Sequence, residues 1–252
     1  MIIDTDTHIT DRPGGVNMSI EKLIELLDKL GVDKAVCWPM VSYYNEVAED
    51  NATIAKGMKK YPDRIIGFSG LNPLQGREET KAELKRCAEE YGVRGVKFNG
   101  ARDGYFIDDE KLAIPFVEEV AKRDLILAFH CGANDSARTH PWQVGQIAKK
   151  FPETTILMVH MGGAGFGPAL YDAALRAAKE CSNICMVASE CSGEAIENAI
   201  RTLGADRVMY ASDTPFVAMK YGWAQIQAVL EDFSEEEKKL VMGENAAKML
   251  IK

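Results

Sequence analysis

The sequence predicts a (β/α)8 TIM barrel that forms a single domain over residues 1–252, with an additional helix at its C-terminal end. Three observations predict it. Short apolar, β-branched runs recur eight times along the chain, roughly thirty residues apart, which is the length of one strand–helix–strand unit. Amphipathic helical stretches fill the intervals. The length, 252 residues, is that of one such barrel rather than of one smaller domain.

The first run is Ile2–Asp6. Ser19 then caps a helix over Ile20–Leu30, with Leu23, Leu26, Leu27 and Leu30 on one face and Gly31 at the position of a helix-ending glycine. Runs Ala35–Trp38 and Ile65–Leu71 follow, then a helix over Glu78–Tyr91 that again ends at a glycine, Gly92. Strand Arg94–Phe98 precedes a helix over Asp108–Arg123, and Leu125–His130 one over Trp142–Phe151. Thr155–His160 precedes Pro168–Cys181, Ile184–Ser189 precedes Gly193–Leu203, and Arg207–Ser212 precedes Ala218–Leu230. Ser234 and Glu237 form a capping box for a final helix running to about Met249. Strands that alternate with helices form a parallel sheet. Near-continuous apolar strands, buried on both faces, favour a closed barrel over the alternative, an open doubly wound sheet.

Composition narrows the function classes. Net charge is −8 with no basic run, which argues against a nucleic-acid partner. No window of eighteen apolar residues appears, so no membrane helix is expected. The start, MIIDTDTHIT, lacks the basic and apolar regions of a secretory signal. The six cysteines show no C-x-x-C pair, a pattern of reduced thiols and a cytoplasmic protein. Asn51-Ala52-Thr53 fits a glycosylation sequon that carries no meaning without secretion.

In these barrels chemistry sits where strands end. Strand one ends with Asp4, Asp6 and His8, strand four with Lys97 and Asn99, strand five with His130, strand six with His160, strand seven with Glu190 and strand eight with Asp213. The chain has four histidines, and three of them fall at strand ends. Asp6 and His8 are two apart, so they share one face of a strand. Imidazole and carboxylate are ligands for zinc and for harder ions such as manganese. A lone strand-end histidine is more often a hydrogen-bonded structural residue, but four ligand-type residues on one rim point to a metal.

At these residues the sequence resembles the amidohydrolase superfamily, and within it the amidohydrolase-related branch that includes aminocarboxymuconate-semialdehyde decarboxylase, the resorcylate decarboxylases and several lactone hydrolases. The resemblance runs from Ile2 to Leu250. It rests on IIDTDTH, YPDRIIGFSGLNP, GVRGVKFNG, FHCG, FPETTILMVHMGG, YASDTPF and GENAAKML. It implies a site for one divalent ion, zinc before manganese, held by Asp6, His8, His130 and Asp213. Asp213 would also act as general base, and His160 would polarise the substrate or move a proton. The family pattern at strand one is His-x-His, whereas here it is Asp6-x-His8. Two carboxylates cancel the charge of a divalent ion, so the site is a weaker Lewis acid and favours harder metals. Lys97 stands where binuclear members carry a bridging carboxylated lysine, but the branch is mononuclear.

The remaining polar residues have ordinary readings beside functional ones. His140 either reaches the site or marks a helix start. The HMGGAGFG segment is a tight loop near the pocket rather than a dinucleotide site. Glu190 is either a satisfied acid or a partner for a histidine. Arg102 and Arg138 either grip a substrate carboxylate or lie at the surface. Nothing gives Cys131 or Cys191 a reactive-thiol environment. The expected activity is hydrolysis of an amide or lactone bond of a small molecule, because the chain is short for a decarboxylase pocket. The alternative is a metal-dependent decarboxylase of a small, possibly aromatic, carboxylic acid, which the acid at position 6 favours. A barrel that has lost its metal is the third reading. Homodimers or larger homo-oligomers are expected by resemblance.

Overall fold

The computed structural model describes residues 1–11, 16–40, 47–132, 135–164 and 168–251. Eight parallel strands lie side by side in chain order: β1 (Ile3–Ile9), β2 (Lys34–Pro39), β3 (Ile65–Leu71), β4 (Gly95–Phe98), β5 (Ile126–Gly132), β6 (Ile156–Ala164), β7 (Ile184–Ala188) and β8 (Val208–Tyr210). Helices on the outside are α1 (Ile20–Leu30), α2 (Val47–Lys60), α3 (Arg77–Arg86), the short α4 (Gly100–Asp103), α5 (Ile114–Ala121), α6 (Pro141–Lys150), α7 (Pro168–Glu180), α8 (Gly193–Leu203) and α9 (Met219–Leu230). The C-terminal segment holds α10 (Glu235–Lys239) and α11 (Asn245–Leu250). The expected barrel is therefore present, and the open sheet is not.

Strand alternation sorts the core into an inside and an outside. Val36 and Trp38, Ile66 and Phe68, Ile126 and Ala128, Leu157 and Val159, Cys185 and Val187, and Met209 and Ala211 form one cluster inside the barrel. The residues between them, such as Ala35, Val96, Leu127, Met158, Met186 and Tyr210, pack outward under the helices. Ala246 and Leu250 of α11 join the inner cluster, so the last helix plugs the end of the barrel opposite the strand tips.

Between β8 and β1 the barrel closes without a regular ladder. One parallel bridge pairs Thr7 with Thr214, and His8 N donates to Thr214 O at 2.7 Å. Side chains complete the seam: Thr5 Oγ1 donates to Tyr210 O at 2.7 Å, and Ser212 N donates to Asp4 Oδ1 at 3.0 Å. In β1 a bulge inserts one residue, since Asp4 pairs with Ala35 but Thr7 pairs with Cys37. The extra residue changes the alternation. Ile3 faces the inner cluster, Asp4 turns to the seam, and Asp6 and His8 face inward again.

Several helices differ from the expectations, the short α4 among them. Helix α2 was not anticipated, because its buried face carries Asp50, Asn51 and Gly57 beside Val47 and Ile54 and so breaks the apolar period. Asn51 uses that burial: Gly70 N donates to its Oδ1 at 2.8 Å, and its Nδ2 donates to Glu83 Oε1 at 2.8 Å. A sequon at this buried residue is inaccessible in the folded chain. The helix expected over Asp108–Arg123 begins regularly only at Ile114, after turns pinned by Asp109 Oδ1. The single C-terminal helix is broken at Gly243, where an added Cβ would run into the Met1 carbonyl oxygen and lie 3.0 Å from Ile3 N. Contact with the start of β1 therefore requires glycine there. No helix among the described residues is long and apolar enough to cross a membrane.

Asp4 gives the seam a pH dependence. Its Oδ2 is buried without a partner, and burial raises its pKa from 3.8 to about 7. A carboxyl that holds its proton more tightly when folded stabilises the fold fully below 3.8, and this contribution is lost as pH rises toward 7. Metal-free protein should therefore lose roughly 2 kcal/mol between pH 5.5 and 7.5, and Asp4→Asn should flatten that slope. Urea unfolding at the two pH values measures it, and equal slopes for both proteins would contradict the assignment.

Candidate metal centre

The inward positions at the tips of the strands bring the predicted residues to one place. Asp6, His8 and Asp213 each offer a ligand atom within 4.8 Å of the others, and all three are buried. His8 Nε2 lies 3.5 Å from Asp6 Oδ1 and 3.4 Å from Asp213 Oδ1. Its Nδ1 lies 2.9 Å from Pro39 O, a group that can only accept, so Nδ1 carries a proton and Nε2 is the nitrogen turned to the two carboxylates.

His130 does not fall within that group of three. It stands one step aside, with Nδ1 3.2 Å from His160 Nε2 and the two rings edge to face at 4.7 Å. His130 Nε2 is buried and has no partner. His160 Nδ1 in turn lies 2.9 Å from Ser189 Oγ, and Ser189 Oγ donates to Asp6 Oδ2 at 2.6 Å. His160, Glu190 and Asp213 form a second group of closely spaced ligand atoms. Two carboxylates and an imidazole with ligand atoms within 4.8 Å of one another, and a buried imidazole nitrogen of His130 with nothing to bind, fit a divalent cation. The donor set supports a His/Asp site for a divalent metal.

Backbone strain marks the same rim. Five residues other than glycine have positive φ among the described residues, and four of them are His160 (58°), Met161 (48°), Glu190 (50°) and Asp213 (58°). Such conformations cost roughly 1–3 kcal/mol each and cluster at functional sites. At β6 they have a direct consequence. Alternation after Leu157 and Val159 would turn Met161 inward, but Met161 packs in the outer cluster and His160 reaches into the barrel. The pairing shift between His130 and Gly132, opposite Val159 and Ala164, records the same distortion. Glycine lets the chain leave: Gly162 has φ of 84°, and a Cβ there would lie 2.6 Å from Ala174 Cβ.

Charges are arranged tightly around Asp6. Trp38 Nε1 donates to Asp6 Oδ1 at 2.5 Å, and Lys97 Nζ lies 3.5 Å from the same oxygen and 4.4 Å above the Trp38 ring. Burial works against ionisation, but the Lys97 ammonium and the His8 ring hold Asp6 well below the usual carboxylate range. Burial and Lys97 oppose the charge on His8, yet its contacts with Asp213 and Asp6 raise its pKa. Burial, with His160 and Lys97 beside it, pushes His130 well down, so it stays neutral and keeps a lone pair. Partial burial and Asp213 raise Glu190.

Other candidates resolve into structural roles. His140 caps α6: its Nδ1 accepts from Trp142 N at 3.1 Å, and Gln143 Oε1 accepts from His140 N at 2.7 Å. Arg102 is held by Asp103 through two bonds of 2.5 and 2.9 Å, and Arg138 is paired with Asp135. Burial raises the Cys131 thiol far above its ordinary value and brings Cys191 to about 12, so neither is a reactive thiolate. Residues 165–167 of the glycine-rich segment lie outside the described residues. Ser189 and Trp38 escaped the sequence reading. The available signal was parity, since each continues the inward series of its strand.

A family model described as amidohydrolase matches residues 4–251. The chain is 24% identical over 236 residues to the 2-amino-3-carboxymuconate-6-semialdehyde decarboxylase of Dictyostelium discoideum, covering 79% of this chain and 65% of that protein. It is 30% identical over 128 residues to the gamma-resorcylate decarboxylase of Rhodococcus jostii, covering 46% of this chain and 39% of that one. The chain thus spans less than two thirds of the length of these relatives. The crystal structure of 5-carboxyvanillate decarboxylase from Novosphingobium aromaticivorans, complexed with manganese and 4-hydroxy-3-methoxy-5-nitrobenzoic acid, shares the fold with a TM-score of 0.76. Its identity is 21%, with 99% of this chain and 96% of that chain covered. These relatives are carbon–carbon lyases, which overturns the expectation of an amide or lactone hydrolase. The physical reason lies at position 6, where a carboxylate in place of imidazole makes a poorer activator of water. With a match that runs from β1 to α11, the chain belongs to the amidohydrolase family, related to its aminocarboxymuconate-semialdehyde and resorcylate decarboxylase branches.

Proposed function

We propose that the chain is a metal-dependent decarboxylase of a small, aromatic or similarly unsaturated, carboxylic acid. The observation that carries this reading is the pairing of two carboxylates, Asp6 and Asp213, with the imidazole of His8 at the barrel mouth, and of Lys97 with Asp6. Asp6, His8, His130 and Asp213 would hold one divalent ion. Manganese is placed ahead of zinc, because two carboxylate ligands suit a harder ion. The manganese in the 5-carboxyvanillate decarboxylase structure agrees with that choice. When bound, the ion supplies positive charge that holds the substrate carboxylate and a neighbouring oxygen. Six buried, unpaired cysteines suit a reducing compartment such as the cytoplasm.

The side chains of the site divide the work. Lys97 offers an ammonium inside the barrel to an anionic oxygen of the substrate. Phe216, 41% exposed and edge-on to His8 at 5.2 Å, provides an apolar wall against which a ring can lie. As the carbon–carbon bond breaks, its electron pair stays on the ring carbon and carbon dioxide departs. That carbon must then gain a proton. Asp213, with His160 and Glu190 beside it, would take a proton from solvent after the substrate binds and deliver it to that carbon.

Two measurements test this. Protein purified without chelators should contain about one manganese or zinc per chain by elemental mass spectrometry, and Asp6→Ala should lose it. No stoichiometric metal after incubation with either ion would remove the basis of the proposal. A panel of hydroxybenzoic and muconic-type acids should yield carbon dioxide and, in deuterium oxide, a product with one deuterium at the vacated carbon. Asp213→Asn should slow this turnover by roughly 10²–10⁴-fold. Near-normal turnover in that variant would contradict the proton-delivery role.

A further inference from the structure

The contacts between Asp6 and His130 form an unbroken line through Ser189 and His160, and its polarity can be worked out from its two ends. The Asp6 carboxylate already accepts from Trp38 Nε1 at 2.5 Å and faces the Lys97 ammonium at 3.5 Å. Surrounded by donors, it is an ionised acceptor with no proton to give. The 2.6 Å contact from Ser189 therefore uses the one hydroxyl proton of Ser189. Ser189 Oγ has then only lone pairs left for His160 Nδ1, 2.9 Å away, so His160 carries its proton on Nδ1. From the other end, His130 Nε2 is buried with no acceptor, so the ring proton of His130 sits on Nδ1 and is donated to His160 Nε2 at 3.2 Å. His130 is left with a bare Nε2, the atom that is buried without a partner.

We infer that Ser189 is a positioning residue: its hydroxyl carries the polarity of Asp6 through His160 and fixes His130 in the tautomer that leaves its buried Nε2 bare, the nitrogen that remains free to bind a metal. This rests on the metal-site reading above. Reversal of the line has a physical penalty. If His160 donated from Nε2, His130 would have to accept at Nδ1 and carry its own proton on the buried Nε2, a donor with no acceptor. The same line joins two of the proposed ligands, Asp6 and His130, across strands β1, β7, β6 and β5. A partner that orients a ligating histidine typically accounts for a 10–100-fold effect on metal affinity. Ser189 does this at one remove, and its removal frees His160 to take either tautomer.

The test reads tautomers and metal affinity without any substrate. In protein carrying 15N-labelled histidine, long-range 1H–15N spectra of the metal-free and zinc-loaded forms distinguish Nδ1–H from Nε2–H rings. Signals are assigned by replacing each of the four histidines in turn. Both His130 and His160 should be Nδ1–H in the wild type. Ser189→Ala should bind manganese about 10–100-fold more weakly, and Ser189→Thr, which keeps the hydroxyl, should restore most of that loss. Urea unfolding alongside separates lost metal binding from a lost fold. An Nε2–H ring at His130 in the wild type overturns the inference, as does wild-type manganese affinity in a folded Ser189→Ala. Failure of the decarboxylation assay with these signatures intact would sink the assigned reaction and leave the role of Ser189 standing.

Discussion

The structure turns on a carboxylate with no access to water. Asp6 is fully buried inside the barrel, where an unpaired charge would be expensive. Its two oxygens collect an indole N–H, a serine hydroxyl and the neighbourhood of an ammonium and an imidazole. These partners come from β2, β7, β4 and β1 itself. Only a closed barrel can bring four such strands around one point, so burial of this charge and closure of the sheet support each other. The bulge in β1 belongs to the same arrangement, because without the extra residue Asp6 and His8 would not share the inner face with Ile3 below them.

Strain at the rim is the counterpart of that packing. Regular β geometry would have delivered Met161 to the barrel mouth and His160 to the helices. Positive φ at both residues reverses this, and the tightly packed turn at Gly162 makes the reversal possible. Asp213 and Glu190 are held in the same region of backbone space. Three of these strained residues, His160, Glu190 and Asp213, carry titratable side chains that face one another. The chain thus gives up regular geometry where it needs acids and bases to converge, and recovers the cost in a core buried on both faces of every strand.

These features explain which parts could be read in the sequence. The barrel was legible because most strands are apolar on both faces, and because helix caps such as Ser19, Gly31, Gly92 and Ser234 stand where geometry wants them. Helix α2 was not, since its inner face spends Asn51 and Asp50 on polar contacts that no periodicity count can anticipate. Of the site, Asp6, His8 and Asp213 were legible as strand-end residues of ligand type, and the fold brings them together. His130 and His160 were legible as strand-end residues, but not their contact with each other, which depends on a local inversion of side-chain direction. Ser189 was invisible, because a serine in an apolar strand has no signature until the acceptor and donor on either side of it are known. His140 shows the converse, a histidine beside a helix start whose ordinary reading was the right one.

The two sequence arguments about chemistry differed in kind. Chain length bears on loops, and loops shape the walls of a pocket. It says little about what a cation at the strand tips can do. The residue at position 6 bears directly on that cation. Two carboxylates bring a charge of −2, which cancels a divalent ion and leaves it a weak activator of water. A decarboxylase has no need of an activated water. It needs a place for an anionic substrate, a wall for its unsaturated frame and a proton for the carbon that is left. In the proposed function, Lys97, Phe216 and the Asp213–His160–Glu190 group would answer those needs in turn. A metal held by two carboxylates would also leave the Lys97 ammonium a tolerable neighbour, because the dication it would otherwise repel would be compensated. The substitution of acid for histidine and the lysine in the barrel are therefore parts of one electrostatic arrangement, and they belong to the lyase reading more naturally than to hydrolysis.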